Sequence, residues 1–382
     1  MIIMNPSFLK IFFLFILTTF VGCKKNAEIS NAAKFKISNS IQYAKGLEIY
    51  KYSGFSVLKV KNPWPKANKD YSYILQEKNG IIPDSLKQNT IIQIPVKTIV
   101  VTSTTHIPSL EMLGVENTLI GFPNLNYISS PKVRARIDSG NVEELGNNQS
   151  LNIEVAINLA PSIIVGYGID NNNSSLDNLQ KSGLKVVLNG DWNEQSSLGK
   201  AEWIKFFGAL YGQEQKALSI FEKIVKDYKS TLTLAEKASS NPTVLSGAMF
   251  QDVWYMPQGE SWGSVFLKDA KSNYLWKDTK GTGSLSLSFE TVLEKGQNAD
   301  FWIQGQFSTL DEIEKTNKHY TQFKAFKTKN VYSFGNKKGK TGGNLFYELA
   351  PNRPDLVLKD ILKMVHPELL PNYEMSFIEK LK

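Results

Sequence analysis

Cysteine and histidine are the scarcest reactive residues in this sequence. The 382 residues include one cysteine, Cys23, and three histidines, His106, His319 and His366. A lone cysteine has no partner for an internal disulfide, so packing must stabilise the fold. A receptor for a bare Zn²⁺ or Mn²⁺ ion usually supplies several histidine and carboxylate ligands. Three scattered histidines therefore argue against a bare-metal site, and no metal-ligating residue is predicted.

The sequence also lacks a membrane-spanning run and a complete phosphate loop. The apolar stretch within residues 8–22 is about ten residues long, whereas a spanning helix needs roughly 20. Gly339-Lys340-Thr341 resembles the end of the G-x-x-x-x-G-K-[ST] loop, but Phe334 occupies the position of the first glycine. A basic, glycine-rich segment at 335–344 remains, and its role must come from the rest of the chain.

Charge does not single out a nucleic-acid partner. The formal net charge is +8 and the sequence pI is about 9.1, which would suit an anionic partner. The lysines are scattered over many predicted surfaces, however, and no nucleic-acid motif is present. The lysines of the 335–344 segment, with Arg134 and Arg136, either attract an anionic ligand or are simply solvated.

The N-terminus predicts export. One lysine, a short apolar run and small residues lead to F-V-G-C, which ends at Cys23 and is typical of a bacterial lipoprotein box. Phe20 stands where such a box prefers leucine, and an ordinary signal peptide is the alternative. We predict a signal peptide over 1–22, acylation of Cys23 and a flexible polar tether over 23–40.

Downstream of the tether, short strand and helix patterns alternate, which predicts an α/β fold with parallel sheets. A helix capped by Ser150 is expected to lead into the buried strand at 162–168. The pattern predicts an N-terminal α/β lobe over 41–195, a bridging helix over 196–239 and a C-terminal α/β lobe over 240–382. Apolar residues at steps of three and four define the bridging helix; these are Ala217, Phe221, Ile224, Tyr228 and Leu232.

Several stretches, in their order and spacing, resemble one known family. They include "VVTSTTHIPSLEMLG", "SLNIEVAINLAPSIIVGYG", "WYMPQGESWGSVFLKDA", "SLSFETVLEKGQNADFWI" and "LAPNRPDLVLKDILKMVHPELLP", and they span about residues 90–370. The resemblance is to substrate-binding proteins of ABC importers for metal chelates, namely iron-siderophores, haem and vitamin B12. It implies two α/β lobes joined by one long rigid helix, a ligand held between them, and a periplasmic, membrane-anchored lipoprotein.

The same resemblance implies two docking residues for the permease dimer. By motif match these are Glu154 in "SLNIEVA" and Glu290 in "SLSFETV". Each is predicted in the first turn of a helix after a serine cap, where the helix dipole favours a carboxylate. Ordinary helix-end charge is the alternative for each residue taken alone.

Aromatic residues near predicted strand ends are the best candidates for contacts with a planar or hydrophobic chelate. His106 follows a predicted strand, and Arg353 could bind a carboxylate. Siderophore iron, cobalamin and haem all fit this composition, and no resident cofactor is expected. The predicted ligand-binding residues are His106, Tyr167, Trp192, Trp254, Tyr255, Trp262 and Arg353.

A serine hydrolase is the alternative from another class. "GESWG" matches the G-x-S-x-G elbow with Ser261 as nucleophile, and Asp300 is followed by His319 and His366 in a suitable order. Pro257 interrupts the strand that such an elbow requires. We therefore predict no catalytic residue and a binding protein.

Overall fold

The computed structural model describes residues 39–382. The signal peptide, Cys23 and almost all of the tether predicted from the sequence lie outside these residues. Within the described part, every helix is too short or too polar to cross a membrane.

A four-stranded sheet opens the described chain. Its strands lie in the order β1-β2-β3-β4, with the first two pairs antiparallel and β3–β4 parallel. Alternate residues such as Leu58 and Val60 face the main core, whereas Phe55 and Val57 form a small outer cluster. The bounds are β1 Leu47–Lys51, β2 Phe55–Val60, β3 Tyr71–Gln76 and β4 Thr90–Gln93.

The N-lobe is built on a five-stranded parallel sheet of order β11-β10-β5-β6-β7. All of its strands except the edge strand β7, which consists of two exposed glutamates, read as near-continuous apolar runs because helices cover them. The strands are β5 Ile99–Val101, β6 Leu119–Phe122, β7 Glu143–Glu144, β10 Ile163–Gly166 and β11 Val186–Leu188, with a hairpin of β8 Gly146–Asn147 and β9 Ser150–Leu151. The helices are α1 Ile107–Leu113, α2 Pro131–Asp138, α3 Ile153–Leu159 and α4 Ser174–Lys181.

Three helices follow where the sequence predicted one bridging helix over 196–239. They are α5 Ser197–Glu202, α6 Ile204–Leu210 and α7 Glu214–Ala235. The break before α7 falls at Gly212, whose φ of +62° is a conformation that suits glycine and ends a helix. Only α7 is long: its 22 residues extend for about 33 Å at 1.5 Å per residue.

The C-lobe repeats the architecture with a five-stranded sheet of order β15-β12-β17-β18-β19, in which only β19 is antiparallel. A three-stranded antiparallel sheet, β13-β14-β16, lies beside it in the chain. The strands are β12 Thr243–Ser246, β13 Ala248–Phe250, β14 Val253–Pro257, β15 Asn273–Tyr274, β16 Ser284–Leu287, β17 Phe301–Gln304, β18 Val331–Ser333 and β19 Glu379–Lys380. The helices are α8 Trp262–Asp269, α9 Phe289–Gly296, α10 Leu310–Thr316, α11 Lys324–Lys327, α12 Leu345–Leu349 and α13 Pro354–Val365.

Helix α7 belongs to both cores. Ala217, Phe221 and Ile224 in its first half pack into the N-lobe core, whereas Tyr228 and Ala235 in its second half pack into the C-lobe core. Burying a ring such as Phe221 contributes about 2 kcal/mol, so detaching either half of the helix is costly. The predicted fold class, two α/β lobes joined by one long helix, is confirmed.

One predicted cap was wrong. Ser150 lies in strand β9, and Asn152 caps α3 instead, because its side-chain oxygen accepts from the Val155 amide at 3.2 Å. Asparagine is as good an N-cap as serine, and its position two residues later shortens the helix. Glu154 remains in the first turn.

Two buried carboxylates attach the N-terminal sheet to the bridging segment. Glu202, at the end of α5, accepts from the amides of residues 42–44 at 2.6–3.1 Å and pairs with Lys205 at 2.7 Å. Glu194 accepts from the amides of residues 45 and 46 at 3.0 and 2.7 Å. These bonds give acceptors to the backbone amides of the turn at 42–46, which would otherwise be buried without a hydrogen-bond partner.

We expect Glu202→Ala to lower the free energy of unfolding by about 3 kcal/mol or more, because it leaves three buried amides without an acceptor and Lys205 without its carboxylate, with only the Ser40 carbonyl oxygen still bonded to that lysine. Thermal and urea unfolding measure the change. Lys223→Ala, which removes an exposed ion pair with Asp227, is the control and should change stability by less than about 0.5 kcal/mol. Equal stability of the two variants would contradict this assignment.

Candidate functional site

An aromatic pocket opens at the carboxyl ends of the C-lobe strands. Its cavity volume is about 470 Å³, within the range of small-molecule sites. Ser246 at the end of β12 and Ile303 in β17 form part of its floor. Six aromatic rings line it, of which Phe266 is buried; the five with accessible surface, which define the aromatic pocket below, are Tyr255, Trp262, Phe334, Phe346 and Tyr347.

The local structure explains which rings face this pocket. Side chains alternate along β14, so Trp254 and Tyr255 point to opposite sides; Tyr255 is 43% exposed. Trp262 is the first residue of α8, and its ring stacks on Phe346 with centroids 6.0 Å apart. Phe346 in turn packs against Phe334 at 4.7 Å. Partial desolvation raises the pKa of the Tyr347 phenol, although the residue is 60% exposed.

A polar pocket of about 310 Å³ opens at the carboxyl ends of the N-lobe strands. Thr102 follows β5 and Tyr167 follows β10, and side-chain amides of the β8–β9 turn and of the start of α4 complete the lining. The Thr102 hydroxyl is buried and finds no hydrogen-bond partner among residues 39–382. Asn148 donates to the Tyr167 hydroxyl at 3.2 Å. We call this the amide pocket.

One lysine, Lys200, contacts residues of both lobes. Lys200 in α5 donates to the carbonyl oxygens of Asp191 and Trp192 at 3.2 and 2.7 Å, and its Nζ lies 5.7 Å from the ring centroid of Trp262. Trp192 donates its indole N–H to Gly168 at 3.0 Å, next to Tyr167. The aromatic pocket and the amide pocket are thus linked through the bridging segment.

A cavity larger than the aromatic pocket lies elsewhere in the C-lobe. A groove of about 740 Å³ lies between the end of α7 and α8 and is lined by charges of both signs. Its Lys271 pairs with Glu236 at 2.8 Å. It touches the sheet only at Tyr274 in the edge strand β15 and has none of the aromatic pocket's rings, so the aromatic pocket is the candidate ligand site.

The glycine-rich segment turns out to bind the other lobe. Residues 336–352, which we call the strap, leave the C-lobe sheet after β18 and contact the N-lobe. Lys340 pairs with Asp138 at 3.0 Å, and the Thr341 hydroxyl donates to the carbonyl oxygen of Asn126 at 2.8 Å. A side chain at Gly339 would place its Cβ 2.6 Å from the Cα of Ser129. Close backbone approach explains this glycine.

Buried hydrogen bonds continue the strap contact. Asn352 donates to the Thr105 carbonyl oxygen and accepts from the Ser109 hydroxyl, both at 2.8 Å. The Glu348 carboxylate accepts from the amides of Ser129 and Ser130 at 2.6 and 3.0 Å. These last amides begin helix α2, where a carboxylate is favoured.

Burial nevertheless disfavours the charge on Glu348. Desolvation raises its pKa to about 7, the nearby Glu111 adds to the rise, and the two amides only partly offset it. Helix α12 packs against the segment of His106 and against α1, which carries Glu111. The Ser130 hydroxyl also contacts Glu111. Burial lowers the pKa of His106, so that ring is neutral here.

Two predicted ligand contacts were wrong. Trp254 is fully buried, packs between Trp302, Tyr320 and Phe323, and donates its N–H to the Ser246 carbonyl oxygen at 3.0 Å. His106 is also fully buried and packs on Phe207. Neither ring presents accessible surface to a ligand, because each lies on the core side of its element.

The structure divides the remaining predicted contacts. Tyr255 and Trp262 line the aromatic pocket, Tyr167 lines the amide pocket, and Trp192 is 37% exposed beside it. Arg353 lines neither. It forms a bidentate pair with Asp355 at 2.8 and 2.9 Å, which raises its pKa and leaves its guanidinium already paired within the C-lobe.

Three of the basic residues considered for anion attraction already have hydrogen-bond or ion-pair partners. Arg134 donates to the Leu125 carbonyl oxygen at 2.7 Å, and Arg136 donates to the Leu119 carbonyl oxygen at 3.0 Å. Lys340 is paired with Asp138 across the lobes. These contacts favour a ligand held by rings and amides over one held by free cations.

The hydrolase alternative finds no triad. Ser261 caps α8 by accepting from the Ser264 amide at 3.3 Å, and its hydroxyl donates to the Gln258 carbonyl oxygen at 2.7 Å. Asp300 bonds Thr243 and Lys324, and His366 bonds the carbonyl oxygen of Lys271 at 3.0 Å. His319 contacts Gln322.

The donor set for a bare metal ion is also missing. Across the described residues, no three His, Cys, Asp or Glu side chains converge on a point that could hold an ion.

Three pocket rings were missed from the sequence: Phe334, Phe346 and Tyr347. Phe334 follows β18 directly, which is the same strand-end signal that identified Tyr167. Phe346 and Tyr347 lie in α12, which directly follows the basic, glycine-rich segment at 335–344. That composition indicated a loop rather than an aromatic wall. The signal that could have found them was their position between a strand end and the last helix.

Two lobes with pockets at their strand ends, joined by one helix, define a two-lobe solute-binding protein. A family model described as periplasmic binding protein matches residues 99–337. The chain belongs to the periplasmic binding protein family, so it binds a solute and is not an enzyme. Membership implies a small-molecule ligand and an ABC permease partner.

Relatives and solved structures agree with this assignment. The chain is 24% identical to an uncharacterized lipoprotein of Methanocaldococcus jannaschii, over 94% of this chain and 92% of that protein. A possible iron-binding (periplasmic solute-binding) protein from Staphylococcus epidermidis shares the fold at a TM-score of 0.56 and 19% identity, over 71% and 99% of the two chains. A periplasmic heme binding protein of Vibrio cholerae does so at 0.53 and 15%, over 69% and 99%.

We expect the strap to weaken as pH rises through about 7. The Glu348 pKa is higher in the packed interface than its ordinary value of 4.5, so packing takes up a proton. Its contribution is fully present below pH 4.5 and is lost progressively between pH 4.5 and about 7, by about 3 kcal/mol in all. Hydrogen exchange at the Ser129 and Ser130 amides, corrected for intrinsic rates, measures the loss.

Glu348→Gln is the matched variant, because it removes the titration while keeping the shape. Its amide protection should be the same at pH 5.5 and pH 8. If the wild-type protein shows no pH dependence there, or if the glutamine variant retains it, Glu348 is not the titrating group.

Proposed function

We propose that the chain is the substrate-binding lipoprotein of an ABC importer and that it captures an already chelated metal between its lobes. The chelate is of the iron-siderophore or cobalamin type. The observation that carries the proposal is the aromatic pocket, which offers five rings in a cavity of about 470 Å³ at a strand-end edge. Rings provide large contact area at low entropy cost, which suits a bulky organic chelate.

The opposite pocket supports the same ligand class. Its lining includes the carboxylate of Asp170, and Thr102, Asn148 and Tyr167 offer hydroxyl and amide groups. Such groups can bond the carbonyl and hydroxyl oxygens of a chelator without competing for its metal. The iron-binding and heme-binding descriptions of the two solved structures with this fold point to metal-bearing ligands as well.

The membrane-proximal part of the proposal rests on the sequence and on one relative. Cys23 follows an apolar run in F-V-G-C, and the Methanocaldococcus relative is described as a lipoprotein. We propose acylation of Cys23 and a tether that keeps the lobes near the permease.

Two exposed glutamates are proposed to dock on the permease. Glu154 lies in the first turn of α3 in the N-lobe, and Glu290 lies in the first turn of α9 in the C-lobe, after the Ser288 cap. Both side chains are exposed. One acidic contact on each lobe is what a dimeric permease can engage from both sides.

Removing a ring should weaken ligand binding. We expect Tyr255→Ala and Trp262→Ala each to reduce affinity at least about tenfold, because each truncates an aromatic wall at the centre of the site. Titration calorimetry with a ferric hydroxamate siderophore and with cyanocobalamin measures the affinity. Haemin serves as the third probe.

Phe250→Ala is the control, since Phe250 is 62% exposed and lies outside the aromatic pocket. It should bind as the wild type does. Failure of the wild type to bind any of the three probes would overturn the chelate proposal. Unchanged affinity in both pocket variants would place the ligand elsewhere.

Docking should fail without loss of ligand binding when both glutamates are removed. We expect Glu154→Ala with Glu290→Ala to reduce uptake of the bound chelate at least about tenfold, since two charge-assisted contacts are lost. Labelled-chelate uptake by cells and affinity in solution are measured together. Glu143→Ala with Glu294→Ala provides exposed carboxylate controls from the same lobes, and uptake equal to theirs would exclude docking through the first pair.

A further inference from the structure

We propose that Lys200 is a positioning residue that sets the geometry of the ligand cleft by holding Trp192 and Trp262 from opposite lobes. The inference rests on the proposed ligand site, because those two rings matter only if the cleft between them is where the solute binds. Lys200 itself touches no ligand in this assignment.

Lys200 Nζ contacts one element of each lobe. Toward the N-lobe, Lys200 Nζ donates to the backbone of the turn that carries Trp192, at 3.2 Å to Asp191 and 2.7 Å to Trp192. Toward the C-lobe, the same atom lies 5.7 Å from the centroid of the Trp262 ring. An ammonium group is attracted to an indole face, and the attraction grows when the pair is shielded from water.

The surroundings favour a fixed cation over a mobile surface lysine. The Lys200 side chain is buried, and Asp191 and Glu194 are the carboxylates close enough to favour its charge. Burial lowers its pKa, with those carboxylates opposing the shift. Its stem belongs to α5, between the N-lobe and α7, so it moves with the bridging segment.

Both rings it holds are placed for function. Trp192 is anchored at its other end by the indole bond to Gly168, beside the amide pocket. Trp262 is a wall of the aromatic pocket and stacks on Phe346. Removing the ammonium would free the turn that carries Trp192 and would also remove the cation from the face of the Trp262 ring. Both walls of the proposed ligand cleft would then be less rigidly held.

The tryptophans give a direct readout in the free protein. Of the seven in the chain, five are at most 5% exposed; these are Trp64, Trp203, Trp254, Trp276 and Trp302. Only Trp192 and Trp262 have substantial accessible surface, so collisional quenching by acrylamide reports mainly on the two rings that Lys200 holds.

The test uses the full chain and Lys200→Met, which keeps the stem and removes the charge. We expect the acrylamide quenching constant to rise about twofold as the rings are released, with circular dichroism unchanged. Trp192→Phe and Trp262→Phe backgrounds separate the two contributions. Lys200→Arg, which keeps a cation and its donors, should quench as the wild type does, and Lys315→Met, an exposed lysine remote in the chain, is the control.

Ligand binding provides the second readout. We expect Lys200→Met to lower affinity for whichever of the ferric hydroxamate, cyanocobalamin or haemin probes the wild type binds, by about tenfold, and Lys200→Arg to restore it. If Lys200→Met does not fold, Lys200→Gln is tested by the same criteria. Unchanged quenching, or increased quenching that persists equally when both exposed tryptophans are replaced, overturns the inference.

The two proposals fail separately. A wild type that binds none of the probes defeats the chelate assignment, while the quenching comparison still decides whether Lys200 positions the rings. A wild type that binds a probe, with Lys200→Met unaltered in quenching and affinity, defeats only the positioning role.

Discussion

The packing of helix α7 into two separate cores is the constraint on which the rest of the structure depends. Ala217, Phe221 and Ile224 commit its first half to the N-lobe, and Tyr228 and Ala235 commit its second half to the C-lobe. A helix cannot bend sharply without a proline, a glycine or a bulge, and α7 contains neither proline nor glycine. The spacing between the lobes, and with it the distance between the aromatic pocket and the amide pocket, is therefore set by a stiff helix.

A second connection runs across the lobe boundary. The strap places Glu348 on the amides of Ser129 and Ser130, and Asn352 bonds Thr105 and Ser109. Together with α7, these contacts join the lobes at two places, so a hinge motion has to break buried hydrogen bonds. We propose that rearrangement on ligand binding is small and that rings such as Tyr255 are pre-positioned for the solute.

Sequence periodicity predicted the strands and helices, but it did not predict which side chains face a pocket and which face the core. The alternation of strands and helices gave both lobes, and the three-and-four spacing gave α7. Trp254 and Tyr255 are neighbours in sequence, yet strand alternation buries Trp254 and exposes Tyr255. No sequence pattern predicted which of the two would be buried. The role of the glycine-rich segment at 335–344 depends on backbone groups of the other lobe, near Ser129, more than 200 residues away in the chain. Contacts of that kind are invisible to local reasoning.

The central claim is that a metal chelate lies between two lobes whose spacing α7 fixes. A crystal structure of the protein with a bound ferric hydroxamate tests it most directly. The account predicts chelate atoms within about 4 Å of Tyr255 and Trp262, the contact distance of packed groups, with α7 unbent and the strap bonds kept. A chelate bound outside this cleft, or lobes reoriented about a broken α7, would contradict it.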